Sequence, residues 1–220
     1  MTKIKAIIFD LDGTLVDSLN DIANAMNHTL QQLGKPTHPI ESYKDFVGKG
    51  LMNLVENCLP EQASNQAAIE KCFDLLIQEY SKNCLVETKL YPGIEELLNC
   101  LSKENIPLAI LSNKADNLTK IIANDLLKKW NFKMVVGASD KFPRKPCPEA
   151  ALHIAQNLGI SPKEIMFVGD TSVDMQTAGN AGMMAMGVTW GFRDAKELME
   201  NGASAIIDKP MQLITHIAHE

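Results

Sequence analysis

The stretch "AIIFDLDGTLVDS", residues 6–18, sets an apolar run against two carboxylates and decides how the rest of the chain is read. Ala6, Ile7, Ile8 and Phe9 form a short run of the kind that is covered on both faces in a parallel sheet. Asp10 and Asp12 follow at once, with only Leu11 between them. On an extended backbone residues two apart face the same side. Two carboxylates about 4 Å apart repel by roughly 1 to 4 kcal/mol, depending on the effective dielectric, and no basic residue stands nearby in sequence to offset that. A hard divalent cation, which takes oxygen ligands, would do so.

Working outward, residues 18–33 place Leu19, Ile22, Ala23, Met26, Leu30 and Leu33 on one helical stripe. A second helical pattern runs through "FVGKGLMNLVENCL" and a third occupies roughly residues 62–82. From about 17 to 86 only helices are expected. From Leu90 onward strand and helix alternate. Strands are read in "IPLAIL", "KMVVG", "IMFVGD", "MMAMGVT" and "SAIID", with amphipathic helices between them. Such alternation predicts an α/β fold, a Rossmann-like parallel sheet with helices on both faces. Residues 1–16 and 87–220 would build that core, and 17–86 would be an all-helical insertion after its first strand.

The 220 residues carry a formal net charge of −6 with 45% hydrophobic side chains, which suits a globular core and opposes broad adhesion to nucleic acid or anionic membrane. No apolar run approaches the ~20 residues of a membrane span, and the first one is unlike a signal peptide. A cytoplasmic protein, monomer or homodimer, is expected. Five cysteines without a Cys-x-x-Cys pair read as buried thiols; Cys147, two residues from Lys145, is the one placed for an acidified thiol. His216 and His219 read as part of a terminal helix rather than a metal site.

In an open parallel sheet, ligands bind beyond the carboxyl ends of the strands. Polar residues collect there: Asp10 and Asp12 after the first strand, Ser112 and Asn113 after "LAIL", Gly169 and Asp170 after "IMFV", and Thr189 after "MAMGV". Lys145 precedes a helix in "RKPCPE". Each alone is an ordinary turn or cap residue; the set is harder to explain that way.

"DLDGT" at 10–14, "SN" at 112–113, "KPCPE" at 145–149 and "GDTSVD" at 169–174 resemble, in order and spacing, the four signature motifs of the haloacid dehalogenase superfamily. The phosphoglycolate phosphatase-like branch is the most similar, through "VGDTSVDMQTAGNAGM" and "GVTWGF". The resemblance spans essentially the whole chain, since the helical block is similar to that superfamily's inserted cap domain.

The resemblance implies a Mg²⁺-dependent phosphatase of a small phosphorylated metabolite, with 2-phosphoglycolate foremost. Asp10 would be the nucleophile that forms an aspartyl-phosphate, and Asp12 the general acid and base. Mg²⁺ would be held by Asp10, the Asp12 main-chain oxygen and Asp170. Thr14, Ser112, Asn113 and Lys145 would hold the phosphoryl group. Gly13, Gly169 and Asp174 would support the same motifs, with Asp174 orienting Lys145 or a metal-bound water.

Lys49, between Gly48 and Gly50, would read the rest of the substrate from the cap, or else be a solvated lysine in a turn. Asn57 stands near the place where relatives carry an arginine. A pyrophosphatase, a sugar-phosphate phosphatase and a phosphoglucomutase are the alternatives within the superfamily. The mutase is disfavoured because its relatives carry Glu-Asp where this chain has Gly169-Asp170. A regulator that binds a phosphorylated ligand without turnover is the alternative from another class.

Overall fold

The computed structural model describes residues 3–60 and 65–217. Eight strands and nine α-helices occur among them, in the order β1 (Ala6–Phe9), β2 (Val16–Asp17), α1 (Leu19–Gln32), α2 (Tyr43–Phe46), α3 (Leu51–Cys58), α4 (Gln66–Asn83), β3 (Lys89–Leu90), α5 (Ile94–Lys103), β4 (Leu108–Ala115), α6 (Asp116–Leu126), β5 (Phe132–Ala138), α7 (Glu149–Leu158), β6 (Ile165–Gly169), α8 (Ser172–Ala181), β7 (Met184–Val188), α9 (Ala195–Glu200) and β8 (Ala205–Ile207).

Six strands form one parallel sheet in the order β5-β4-β1-β6-β7-β8. β1 lies at its centre, and the strand order reverses beside it. Alternate residues of β1 serve two layers, as the period of a strand requires. Ile7 and Phe9 pack with Leu97 and Leu101 of α5 and Leu118 and Ile122 of α6. Ala6 and Ile8 pack with Ile154 of α7 and Met175 and Ala178 of α8. Both faces are therefore apolar, and the strand shows no polar alternation.

Between β1 and β4 the chain leaves the sheet for the helical segment α1–α4. Leu76 and Tyr80 of α4 are fully buried, and so are Met26 and Leu30 of α1. Two features were not expected there. Val16 and Asp17 pair antiparallel with Leu90 and Lys89, so the segment is entered and left through a two-stranded ribbon. This pairing joins residues more than seventy positions apart, so no local pattern announces it. The Asp21 carboxylate of α1 then accepts from the Glu87 and Thr88 backbone N–H groups and the Thr88 hydroxyl, at 2.7 to 3.0 Å.

A second difference concerns the "SN" stretch. β4 runs on to Ala115, with its register against β5 shifting between Leu111 and Ala115. Ser112 and Asn113 therefore lie within the strand rather than after it. At the far end, His216 belongs to a 3₁₀ helix over Pro210–His216, and His219 lies outside the described residues. No helix among the described residues is long and apolar enough to cross a membrane.

Candidate active site

The site forms at the carboxyl ends of β1, β4 and β6. After Phe9 the chain coils on the Leu11 carbonyl, which accepts from the N–H groups of Thr14, Leu15 and Val16 at 2.9 to 3.3 Å. Leu11 is fully buried and anchors this turn. Gly13 adopts φ +85°, and a Cβ there would meet Asp170 Oδ2 at 2.2 Å. Only glycine allows the two motif loops to approach so closely.

The opening pair of carboxylates is resolved by two lysines brought from distant sequence. The Lys145 ammonium lies 2.9 Å from Asp10 Oδ1 and 2.6 Å from Asp174 Oδ1. The Lys114 ammonium donates to both oxygens of Asp12, at 2.9 and 3.0 Å. Ser18, at the start of α1, adds a hydroxyl to Asp12 Oδ1 at 2.5 Å. Lys114 was not singled out from the sequence, although it adjoins "SN". An isolated lysine after a strand reads as solvated, and here it is 4% exposed.

Asp10, Asp170 and Asp174 are buried and offer oxygens that all lie within 4.8 Å of one another. Their donors are well defined. Asp10 Oδ1 accepts from the Leu11 N–H at 2.7 Å as well as from Lys145. Asp170 accepts from the Thr14 hydroxyl and the Phe192 N–H, each at 2.9 Å. Asp174 Oδ2 accepts from the Thr171 N–H and hydroxyl at the start of α8, an N-terminal capping box. Three carboxylates thus face one ammonium. Burial first, then the charge of Asp174, pushes the Asp10 carboxyl up to about 7 against the pull of Lys145. Burial and the charges of Asp174 and Asp10 push Asp170 well up too. Burial alone would lower the Lys145 pKa, but Asp10 and Asp174 more than offset that and raise it.

This oxygen-only donor set, short of positive charge, fits a hard divalent cation. It contains two of the expected ligands, Asp10 and Asp170; the third expected ligand is the Asp12 main-chain oxygen. The Asp12 side chain is turned to Lys114 and Ser18, and Asp174 is the third carboxylate of the cluster. Both Asp174 oxygens already accept from the chain's own donors, which fits its expected part in orienting Lys145.

The remaining expected residues divide. The Asn113 side chain accepts from the Lys145 N–H at 2.9 Å and donates to the carbonyls of Lys145 and Gly48; it ties the lysine loop and the helical segment to β4. Ser112 accepts from the Lys114 N–H at 3.2 Å. Thr14, expected at the phosphoryl group, is fully buried, and its hydroxyl is committed to Asp170. Gly169 lies tight against Asp174, whose Cβ a Cβ there would meet at 2.3 Å.

A cavity of about 40 Å³ is lined by Asp10, Asp12, Ser112, Asn113 and Lys114 on one side and by apolar residues of the helical segment, among them Val47 and Leu54, on the other. Gly48 and Gly50, with φ of 111° and 93°, also line it. Lys49 between them is exposed and does not, as in the alternative of a solvated lysine in a turn. Asn57 instead donates to the Asn53 side chain on the exposed face of α3. Arg193 fastens the segment to the core, since its guanidinium donates to the carbonyls of Lys44, Asp45 and Val47. It was missed because the acceptors that it reaches in the helical segment are main-chain atoms. Trp190 donates to the Thr14 carbonyl at 2.9 Å and, with Phe192, walls a separate cleft of about 210 Å³.

Together, the sheet order and the buried carboxylates at its carboxyl edge define an α/β protein with a candidate active site beside β1, where the strand order reverses. Residues 7–188 match the family model of the haloacid dehalogenase-like hydrolases. The chain is 36% identical over 201 residues to a phosphoglycolate phosphatase of Chromobacterium violaceum, covering 90% of each. It is 33% identical to one of Nitrosospira multiformis, with 93% of this chain and 91% of that one covered. In fold it matches a solved structure from Lactobacillus delbrueckii subsp. bulgaricus with a TM-score of 0.92 and 28% identity, covering 99% of this chain and 100% of the other. The chain belongs to the haloacid dehalogenase-like hydrolases, and its relatives place it among the phosphoric monoester hydrolases.

Proposed function

We propose that this protein hydrolyses a small phosphate monoester with Mg²⁺ through an aspartyl-phosphate on Asp10, and that 2-phosphoglycolate is the foremost substrate. The observation that carries the reading is the arrangement around Asp10. One oxygen is held by the Leu11 N–H and Lys145, while Oδ2 accepts no hydrogen bond among the described residues and is left for bond formation. The substrate rests on the names of the relatives, which are phosphoglycolate phosphatases.

Asp10, Asp170 and the Asp12 main-chain oxygen would hold Mg²⁺, with Asp174 adjoining. When bound, the ion neutralises the clustered carboxylates and polarises the phosphoryl group. In the first step an Asp10 oxygen bonds to phosphorus as the bridging P–O bond breaks. Asp12 gives its proton to the leaving alkoxide oxygen, and the alcohol departs. In the second step water attacks phosphorus and Asp12 takes a proton from it. The bond from phosphorus to Asp10 breaks, releasing phosphate and restoring the carboxylate. Lys145, beside Asp10, offsets charge on the transferring oxygens, and the Ser112 hydroxyl and Asn113 main chain complete their cradle.

Apolar residues of the helical segment, Val47 and Leu54 among them, wall the cavity opposite Asp10 and Asp12. The helical segment acts as a cap over the site that moves to admit an ester and reseats to exclude water. Phosphate release from a panel of small esters and pyrophosphate, with Mg²⁺ or EDTA, tests the reading. One alkyl ester should lead, and turnover should vanish with EDTA and with Asp10→Asn. Metal-dependent turnover that survives Asp10→Asn would refute the covalent step, and pyrophosphate as the leading substrate would refute the monoester.

A further inference from the structure

We propose that Lys114 is a positioning residue that holds the Asp12 carboxylate in place and makes that placement depend on seating of the helical segment. The inference rests on the reading of Asp12 as the general acid and base.

An ammonium has three protons and no acceptor site. In Lys114 two of them go to the two oxygens of Asp12, at 2.9 and 3.0 Å, and the third goes to the Tyr80 hydroxyl at 2.6 Å. The group is thus saturated, with no proton left for a phosphoryl oxygen. Lys145, not Lys114, accompanies Asp10. Lys114 therefore has a place in the reaction only through Asp12.

Tyr80 lies on α4, near the end of the helical segment, and is fully buried. Ser18, which donates to Asp12 Oδ1 at 2.5 Å, lies at the segment's entry, just after β2. Asp12 belongs to the core, yet its carboxylate is gripped from both ends of the segment: directly by Ser18, and through Lys114 by Tyr80. A buried ammonium is stable only while its partners remain. Lifting α4 by a few ångströms would remove Tyr80 and admit water to Lys114, freeing both Lys114 and Asp12 to change rotamer. The proton donor is then aligned with the leaving oxygen only when the segment is seated, which is when the site is closed to water. Ester cleavage is thereby confined to the closed state.

A general acid matters in proportion to how badly the leaving group needs a proton, so two esters separate the roles. 2-Phosphoglycolate expels glycolate as an alkoxide unless the bridging oxygen is protonated, whereas 2,4-dinitrophenyl phosphate releases a stable phenolate. Single-turnover release from each should be compared for wild type, Lys114→Met, Lys114→Arg, Tyr80→Phe and Asp12→Asn. Lys114→Met should slow release from the alkyl ester about 100-fold, within the range of general acid catalysis, and the dinitrophenyl burst by less than about threefold. Tyr80→Phe, which keeps the buried ring, should reproduce the pattern at about tenfold, as the loss of one charge-assisted hydrogen bond predicts. Lys114→Arg should recover part of the loss.

Equal slowing of both esters by Lys114→Met and Tyr80→Phe, while Asp12→Asn slows only the alkyl ester, would overturn the positioning role. Equal slowing of both by Asp12→Asn would instead overturn the general-acid reading on which it rests. Amide exchange supplies a readout independent of turnover. Residues 47–51 should exchange faster in Tyr80→Phe and Lys114→Met than in wild type, and unchanged exchange would overturn the coupling to the segment.

Discussion

The Lys114 ammonium chelates both carboxylate oxygens of Asp12 at 2.9 and 3.0 Å, across 102 residues of chain. Lys145 stands to Asp10 as Lys114 stands to Asp12, although Lys145 also serves Asp174. Each member of the carboxylate pair that follows β1 has its own buried cation, and the two cations come from different elements.

Lys145→Met removes the one ammonium among three buried carboxylates. In EDTA the variant should lose about 3 to 5 kcal/mol of stability, the usual result of stripping one partner from a buried ion pair. Urea unfolding would measure this. Millimolar Mg²⁺ should restore part of it, because the ion substitutes for the missing charge. Ester turnover should fall at least about 100-fold even so, since the cradle loses its cation.

The raised pKa of Asp10 gives the metal-free protein a definite pH dependence. Between the ordinary carboxyl value of 3.8 and about 7, the unfolded chain has lost the Asp10 proton while the folded protein retains it. The unfolded state thus binds fewer protons, and stability falls as pH rises through this window. Asp170 shifts in the same direction and acts with it. Thermal unfolding in EDTA should show Tm declining from pH 4 to 7. Added Mg²⁺ should raise Tm by an amount that grows over the same range, because binding requires the ionised carboxylates.

Gly13→Ala tests the close approach of the two motif loops. At φ +85° the new Cβ would fall 2.2 Å from Asp170 Oδ2, so either the turn or the carboxylate must move. A stability loss of about 1 to 3 kcal/mol is expected from the backbone alone. Displacement of Asp170 should also weaken Mg²⁺ binding by at least tenfold, roughly the cost of disturbing a ligand's support. Calorimetric titration with Mg²⁺ would read this directly.

Arg193→Ala cuts the guanidinium from the carbonyls of Lys44, Asp45 and Val47. These contacts join the helical segment to the loop after β7 and lie outside the chemical centre. The segment should seat less firmly, and KM for the leading ester should rise about tenfold, with a smaller change in kcat. Steady-state kinetics would distinguish this from Lys114→Met, for which the loss falls on kcat. A drop in kcat with unchanged KM would show that Arg193 acts at the chemistry instead.

Much of this architecture was legible before any coordinates. β1, β6 and β7 are continuous apolar runs because both of their faces are covered, and such runs stand out in the sequence. α1 and α5 declare themselves by their stripes, with Ile22, Met26 and Leu30 on one and Ile94, Leu97 and Leu101 on the other, all buried. What escaped was non-local. The β2–β3 ribbon depends on a pairing between Val16 and Leu90. The extension of β4 through Lys114 depends on β5 lying beside it.

The sequence by itself determined the succession of elements outside the β2–β3 ribbon and the chemistry at the ends of the strands. Strand periodicity, helix stripes and the runs of Asp, Ser, Asn and Lys are local properties of the chain. Only the tertiary structure decided which charges meet. It set Thr14 on Asp170 rather than toward the cavity, left Lys49 in solvent, and made Lys114 the partner of Asp12. The physical reason is burial. A lysine in solvent has no fixed partner, whereas one that folding removes from water must find its counter-charge wherever the sheet places it.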